Sequence, residues 1–282
     1  MKKRENKRKS NLIISILTNT IAWFVTIVAL YPLVWLAYSS VKDNNEFLIS
    51  TLSLPTKLVL ENYPKAFEIG KLWIAMGNSA FYSVLNVVIT AAFAIITAYF
   101  FARYNFKGKK TIRLFYTVGM LIPLYALLVP IFVQYKIIDL INNRFALIIT
   151  YYAMSIPLAI FLAESFIQGI PMEIDEASII DGCSLRQRLT KIIFPLCKPI
   201  VATVSILTLL NTWNEFAFAV ILTPDEKLRT VSIALRYFTS GADMDYTFLM
   251  AALLTTSLPI IIAYLIFSKE VINGMTAGAV KG

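Results

Sequence analysis

Three carboxylates, Glu173, Asp175 and Glu176, stand in the run Pro171-Met-Glu-Ile-Asp-Glu-Ala-Ser-Ile-Ile-Asp-Gly182, which interrupts two long apolar stretches. Acids gathered in one helical turn suit a helix N-terminus, where the dipole favours negative charge, or a basic partner surface. A second set of polar residues lies inside the apolar stretches themselves. Ser205, Thr208, Thr212 and Glu215 recur at i, i+3, i+7 and i+10 with Asn211 beside them, and Asn78, Tyr82 and Asn86 recur at i, i+4 and i+8. Each set makes one stripe along a helix. Amides, hydroxyls and aromatic faces hold a neutral polyhydroxylated ligand, or else they hydrogen-bond one helix to another. Other chemistry is excluded. The chain has no histidine, which removes His-based acid–base catalysis and most zinc sites. No G-x-x-x-x-G-K-[ST] phosphate loop occurs, so ATP is not bound here by that route. The two cysteines, Cys183 and Cys197, read as small packing residues in a reducing compartment. No catalytic or metal site is expected.

The elements that must carry these residues are membrane spans. Hydrophobic residues make up 58% of the 282 and charged residues 15%, with mean hydropathy +0.69, which lies outside the soluble globular range. Six segments are long and apolar enough to cross a hydrocarbon core about 30 Å thick. They fall near 12–38, 76–102, 112–133, 145–167, 200–222 and 247–267. The expected fold is an all-α membrane protein: a basic N-terminus (1–11), one six-span domain (12–267) and a C-terminal tail (268–282).

Charge sets the orientation. With the N-terminus inside, 17 of the 26 lysines and arginines fall in inner segments, against nine in outer ones, where nine acids balance them. The positive-inside rule then puts both termini and the 171–199 loop in the cytoplasm of a multi-pass cell-membrane protein. The basic residues flank spans, so the sequence pI near 9.4 reflects a lipid-facing bias and gives no reason to expect nucleic acid.

Within the 171–199 loop, Pro171 and the acids open a helix, Gly182 supplies a left-handed stop, and Ser184-x-x-Gln187 fits a capping box that opens a second helix carrying Arg186, Arg188 and Lys191. Pro195 and Pro199 are expected to end that second helix. The loop is either a solvated connector or a compact helix pair made to sit in a partner's groove.

Glu176-Ala-Ser-x3-Gly182-x9-Ile192-x-Phe-Pro195 resembles the E-A-A-x3-G-x9-I-x-L-P loop of ABC importer permeases, with Ser178 and Phe194 as mild departures. Leu121-Ile-Pro123, Ile180-Asp-Gly182, Thr212-Trp-Asn-Glu-Phe216 and the tail Gly274 to Gly282 extend the likeness to the maltose-type carbohydrate permeases, from about Glu61-Asn-Tyr63 onward. That resemblance implies an ATP-driven importer in which the 171–199 loop is a coupling helix docked in a separate ATPase. Glu173, Glu176, Ala177, Ser178, Asp181 and Gly182 would carry the coupling, and Gly278 and Lys281 would place the tail between two ATPase subunits. ATP and Mg²⁺ would be bound by those subunits, with no cofactor in this chain. The resemblance further implies a bacterial inner-membrane setting, a second permease subunit and an extracytoplasmic binding protein, which would meet the outer loop 223–246. The substrate-path candidates are Asn78, Tyr82, Asn86, Thr208, Asn211, Thr212, Trp213, Asn214 and Glu215. An ion-coupled secondary carrier, or an ABC permease for a polyol or glycerol phosphate, stands as the alternative. A carrier would need an ion site, and Glu164 and Glu215 are the only span carboxylates.

Overall fold

The computed structural model describes residues 2–239 and 245–279, with side chains for 14–239 and 245–270. Among these residues every regular element is helical. The helices are α1 Lys2–Ser39, α2 Asn44–Ile49, α3 Asn62–Ile69, α4 Leu72–Arg103, α5 Lys109–Leu121, α6 Leu128–Ile137 and α7 Arg144–Gln168. There follow α8 Met172–Ile180, α9 Leu185–Leu196, α10 Lys198–Asn214, α11 Ala217–Leu222, α12 Val231–Leu235 and α13 Tyr246–Ala279. The all-helical expectation holds.

Among the described residues four helices have the length and apolar composition to cross a membrane, and they match the first, second, fourth and sixth expected spans. The third and fifth are not continuous rods. Pro123 forces Ile122 into the extended region (φ −74°, ψ 123°), and the chain bends by 96° between α5 and α6. The expected fifth span, 200–222, is cut at Glu215, which is extended (φ −67°, ψ 129°), before α11 begins. At its other end α10 meets α9 at a 75° bend. Counting each bent pair as one span brings the total to six. The sixth expected span, α13, does not stop near residue 267 but continues to Ala279. Gly278 therefore lies in its last turn, whereas Lys281 lies outside the described residues, as do the side chains of the basic 1–11 segment.

Two compact units can be separated, residues 1–69 with 238–255, and residues 70–237 with 256–282. In the first, the buried Lys42 ammonium donates to Ser50 O (2.9 Å), and Asn62 donates to the carbonyls of Ser40 and Lys42. Phe47 stacks on Tyr246 at 5.8 Å.

The second unit carries the polar stripes and the 171–199 loop. Its centre is the packing of α4, α7 and α10. Ala94, Ala98, Ala159 and Ala163 are buried there, and such small side chains let helix backbones approach closely where the apolar surroundings offer little hydrophobic drive. Ile160, Ile167, Ile193, Cys197, Ile200 and Val204 complete that core. A second cluster, built on Tyr82, Leu147, Tyr151, Phe218 and Leu222, lies at the far end of α4 and α7. Helix α5 lies against α7 at Gly119, where a Cβ would meet Pro157 Cγ at 3.5 Å, an ordinary van der Waals contact.

Candidate functional site: a charged hairpin and a polar cleft

The loop is a helical hairpin, and each of its turns follows from local sequence. Helix α8 ends in a Schellman arrangement: Cys183 N donates to Ser178 O and Gly182 N to Ile179 O, both at 3.0 Å, while Gly182 takes φ +73°. Ser184 and Gln187 form the expected capping box at the start of α9. Helix α9 runs through a π-helical stretch, Arg188–Ile193, and Pro195 does not end it, since three more α residues follow from Phe194 to Leu196. The break falls at Cys197, ahead of Pro199 in the first turn of α10.

Helix α8 presents two unlike faces. Ile174, Asp175 and Ser178 turn inward, and Ser178 Oγ donates to Asp175 O at 2.6 Å. Glu173, Glu176, Ala177, Asp181 and Gly182 are exposed, beside the outward side chains of Ile179 and Ile180, the latter 86% exposed. Thus, of the expected coupling residues, Ala177 lies on the outer face and Ser178 on the inner one. Asp175 was not among the expected functional residues, yet it is the carboxylate that ties the hairpin to the bundle. It accepts from Tyr99 OH (2.7 Å) and Arg103 Nε (2.8 Å), both at the end of α4. Arg103 Nη2 also donates to Ile170 O at 2.8 Å, and Arg188 of α9 donates to Tyr104 OH at 3.2 Å.

The second feature is an open cleft of about 330 Å³ whose polar lining is Tyr125, Tyr151, Ser155, Asn211, Thr212, Asn214 and Glu215. A smaller hollow of about 30 Å³ runs on along α7 and α10, lined in part by Ser155, Thr208 and Asn211. Five of the nine path candidates therefore come together. The other four are engaged elsewhere. Asn78 donates to the carbonyls of Lys227 (2.8 Å) and Arg229 (3.0 Å) and accepts from Arg144, pinning the 223–230 segment. Tyr82 OH donates to Leu228 O, and the Tyr82 ring meets Tyr151 edge-on. Asn86 is buried and bridges three helices, donating to Ser155 Oγ (3.1 Å) and Thr212 Oγ1 (2.8 Å) while accepting from Thr90. Trp213 is buried in the packing.

Glu215 is held at the cleft by three donors: Phe218 N (2.8 Å), Ala219 N (3.0 Å) and Tyr151 OH (3.0 Å). Its charge thereby caps the opened N-terminus of α11. Glu164, the other span carboxylate, pairs with Arg113 and accepts from Gln168 Nε2. Both carboxylates thus have partners that spacing alone did not reveal. Tyr125, Tyr151 and Ser155 were missed as cleft residues. The signal for the last two was present, since they form a polar i, i+4 pair within a largely apolar helix.

Long apolar helices, with two of the expected spans broken and a charged hairpin between two of them, define a polytopic membrane protein. Residues 91–272 match the family model described as "Binding-protein-dependent transport system inner membrane component". The chain belongs to that family. It is 35% identical over 260 residues to a probable ABC transporter permease protein of Bacillus subtilis, covering 92% of this chain and 86% of the relative. The arabinooligosaccharides transport system permease protein of Halalkalibacterium halodurans is 31% identical, covering 98% of this chain and 100% of its own. The trehalose/maltose transport system permease protein of Thermococcus litoralis is 31% identical, covering 93% and 95%. Among solved structures, a bacterial ABC transporter involved in alginate import superposes with TM-score 0.79 at 22% identity, covering 92% of this chain and 97% of that one. That likeness supports the fold.

Proposed function

We propose that this chain is the permease subunit of an ATP-driven importer that takes up a neutral sugar or oligosaccharide delivered by an extracytoplasmic binding protein. The observation that carries the reading is the α8 hairpin. Its inner face is bonded to the bundle through Asp175, and its outer face offers Glu173, Glu176, Ala177 and Gly182 next to exposed Ile179 and Ile180. An apolar patch with flanking acids suits a groove with a basic rim. The hairpin is the docking element for a separate ATPase that binds ATP and Mg²⁺, with both termini on the same cytoplasmic side. A second permease chain completes the pore, two such ATPase subunits drive it, and the tail with Gly278 and Lys281 reaches the ATPase pair.

The cargo reading rests on the cleft and on the relatives. Hydroxyls and amides line the cleft, and the ten lining residues include no lysine or arginine to hold a phosphate or uronate. The relatives named for arabinooligosaccharides and for trehalose/maltose support a sugar. This favours a neutral sugar over glycerol phosphate. The carrier alternative loses its support, because Glu164 is ion-paired and Glu215 is hydrogen-bonded to three donors.

The docking role of Glu176 is tested by Glu176→Lys with co-purification of the ATPase. A like charge set against a basic rim repels it, so both assembly and uptake are expected to fall. Undiminished assembly and transport would sink the docking assignment.

A further inference from the structure

We propose that Asp175, clamped by Tyr99 and Arg103, is the positioning residue that passes movement of the hairpin into the transport cleft, with α4 as the lever. The inference rests on the reading of the hairpin as an ATPase dock, and it concerns the face opposite the docking one.

The geometry is that of a latch. Helix α8 is nine residues long and turns only Ile174, Asp175 and Ser178 inward, so apolar contact alone holds it weakly. The Asp175 carboxylate and the Arg103 guanidinium are both buried, with side chains 3% and 7% exposed. A buried pair of this kind is shielded from water and holds a fixed geometry. Arg103 grips the helix twice, at the Asp175 carboxylate and at the Ile170 carbonyl just before it. Tyr99, one turn back on the same face of α4, supplies the third bond, and Arg188 of α9 reaches Tyr104. Both helices of the hairpin therefore hold the same end of α4.

At its other end that rod meets the cleft. Asn86 lies about 20 Å along the helix from Tyr99 and donates to Ser155 Oγ and Thr212 Oγ1, two residues that line the cleft. A shift of α8 against a fixed bundle strains the Asp175 bonds. A shift that carries α4 with it preserves them and moves Asn86 against Ser155 and Thr212. The latch thus makes hairpin movement and cleft rearrangement one event, along a contiguous bonded path between the two sites.

The test uses the complete transporter, with partner permease, ATPase and binding protein, in proteoliposomes. Asp175→Asn keeps the shape of the side chain and removes its charge, and Tyr99→Phe removes one hydrogen bond only. Each variant is assayed for ATPase co-purification and for substrate taken up per ATP hydrolysed. The expected result is retained co-purification, with uptake per ATP lowered about tenfold for Asp175→Asn and less for Tyr99→Phe. Glu176→Lys, on the outer face, is expected to lose co-purification instead, so failure of the docking reading shows separately. Wild-type uptake per ATP in both inner-face variants would overturn the latch. Loss of co-purification in both would also overturn it, making the pair a brace for docking only.

Discussion

Gly182 offers the cleanest perturbation of the hairpin. Its φ is +73°, and an added Cβ would meet no atom within 4 Å, so alanine there clashes with nothing and the whole cost is backbone conformation. Holding an L-residue in the left-handed region costs about 1–2 kcal/mol, which is a factor of roughly 5–30 in the opening equilibrium of the turn. Hydrogen exchange of the purified protein in nanodiscs reads this directly, because the Gly182 and Cys183 amides make the closing bonds to Ile179 and Ser178. In Gly182→Ala these two amides should exchange roughly 5–30 times faster than in the parent. Gly182→Asn should lie between, since asparagine tolerates that region better. Gly77 is a useful control: it has room for a Cβ and no positive φ, so Gly77→Ala should leave hairpin exchange unchanged. Parent-like exchange in Gly182→Ala, or equal damage from Ala and Asn, would refute the backbone argument.

Three further outcomes are expected. Asn86→Ala strips the bonds to Ser155 and Thr212, and interhelical bonds of this kind in membranes contribute about 0.6 kcal/mol each and up to about 1.7. The variant should lose about 1–2 kcal/mol in thermal unfolding in detergent, and an unchanged midpoint would show the bridge to be dispensable. Glu226 in the 223–230 segment is held below its ordinary carboxylate value, chiefly by its hydrogen bond from Lys71. A depressed carboxylate stabilises the contact above its unfolded value and loses it as pH falls through the folded one. The titration midpoint of the Glu226 carboxylate should therefore lie below the ordinary carboxylate range and rise towards it in Lys71→Met, with the segment kept in place by Asn78 and Tyr82; an ordinary midpoint in the parent would contradict the pairing. A maleimide should label Cys183, which is part-exposed, and spare Cys197, which is fully buried, and equal labelling would contradict the packing of the α9–α10 bend.

What was legible in the sequence was what local chemistry decides. Pro171, Gly182 and the Ser184–Gln187 box set the ends of the hairpin helices, because caps and left-handed turns depend on a few adjacent residues. The break at Pro123 was written in the residue before a proline but was outweighed by the continuous apolar run. The break at Glu215 has neither proline nor glycine. It exists because the Glu215 carboxylate caps α11 and bonds Tyr151, a residue 64 positions away. Asp175 was hidden for a similar reason. Among three acids in one turn, all favoured by the helix dipole, only packing against Tyr99 and Arg103 separates the buried one from its exposed neighbours. The stripe of Asn78, Tyr82 and Asn86 does share one face, but that face is spent on the 223–230 segment and on α7 and α10.

The central claim is that this chain moves its cargo with energy received through the hairpin from an ATPase. Proteoliposomes holding this chain with its partner permease and ATPase, with the binding protein and a labelled neutral sugar on the opposite side, test it most directly. The account predicts uptake that needs ATP on the hairpin side and persists when ion gradients are collapsed. Uptake that continues without ATP and disappears with an ion gradient would contradict it.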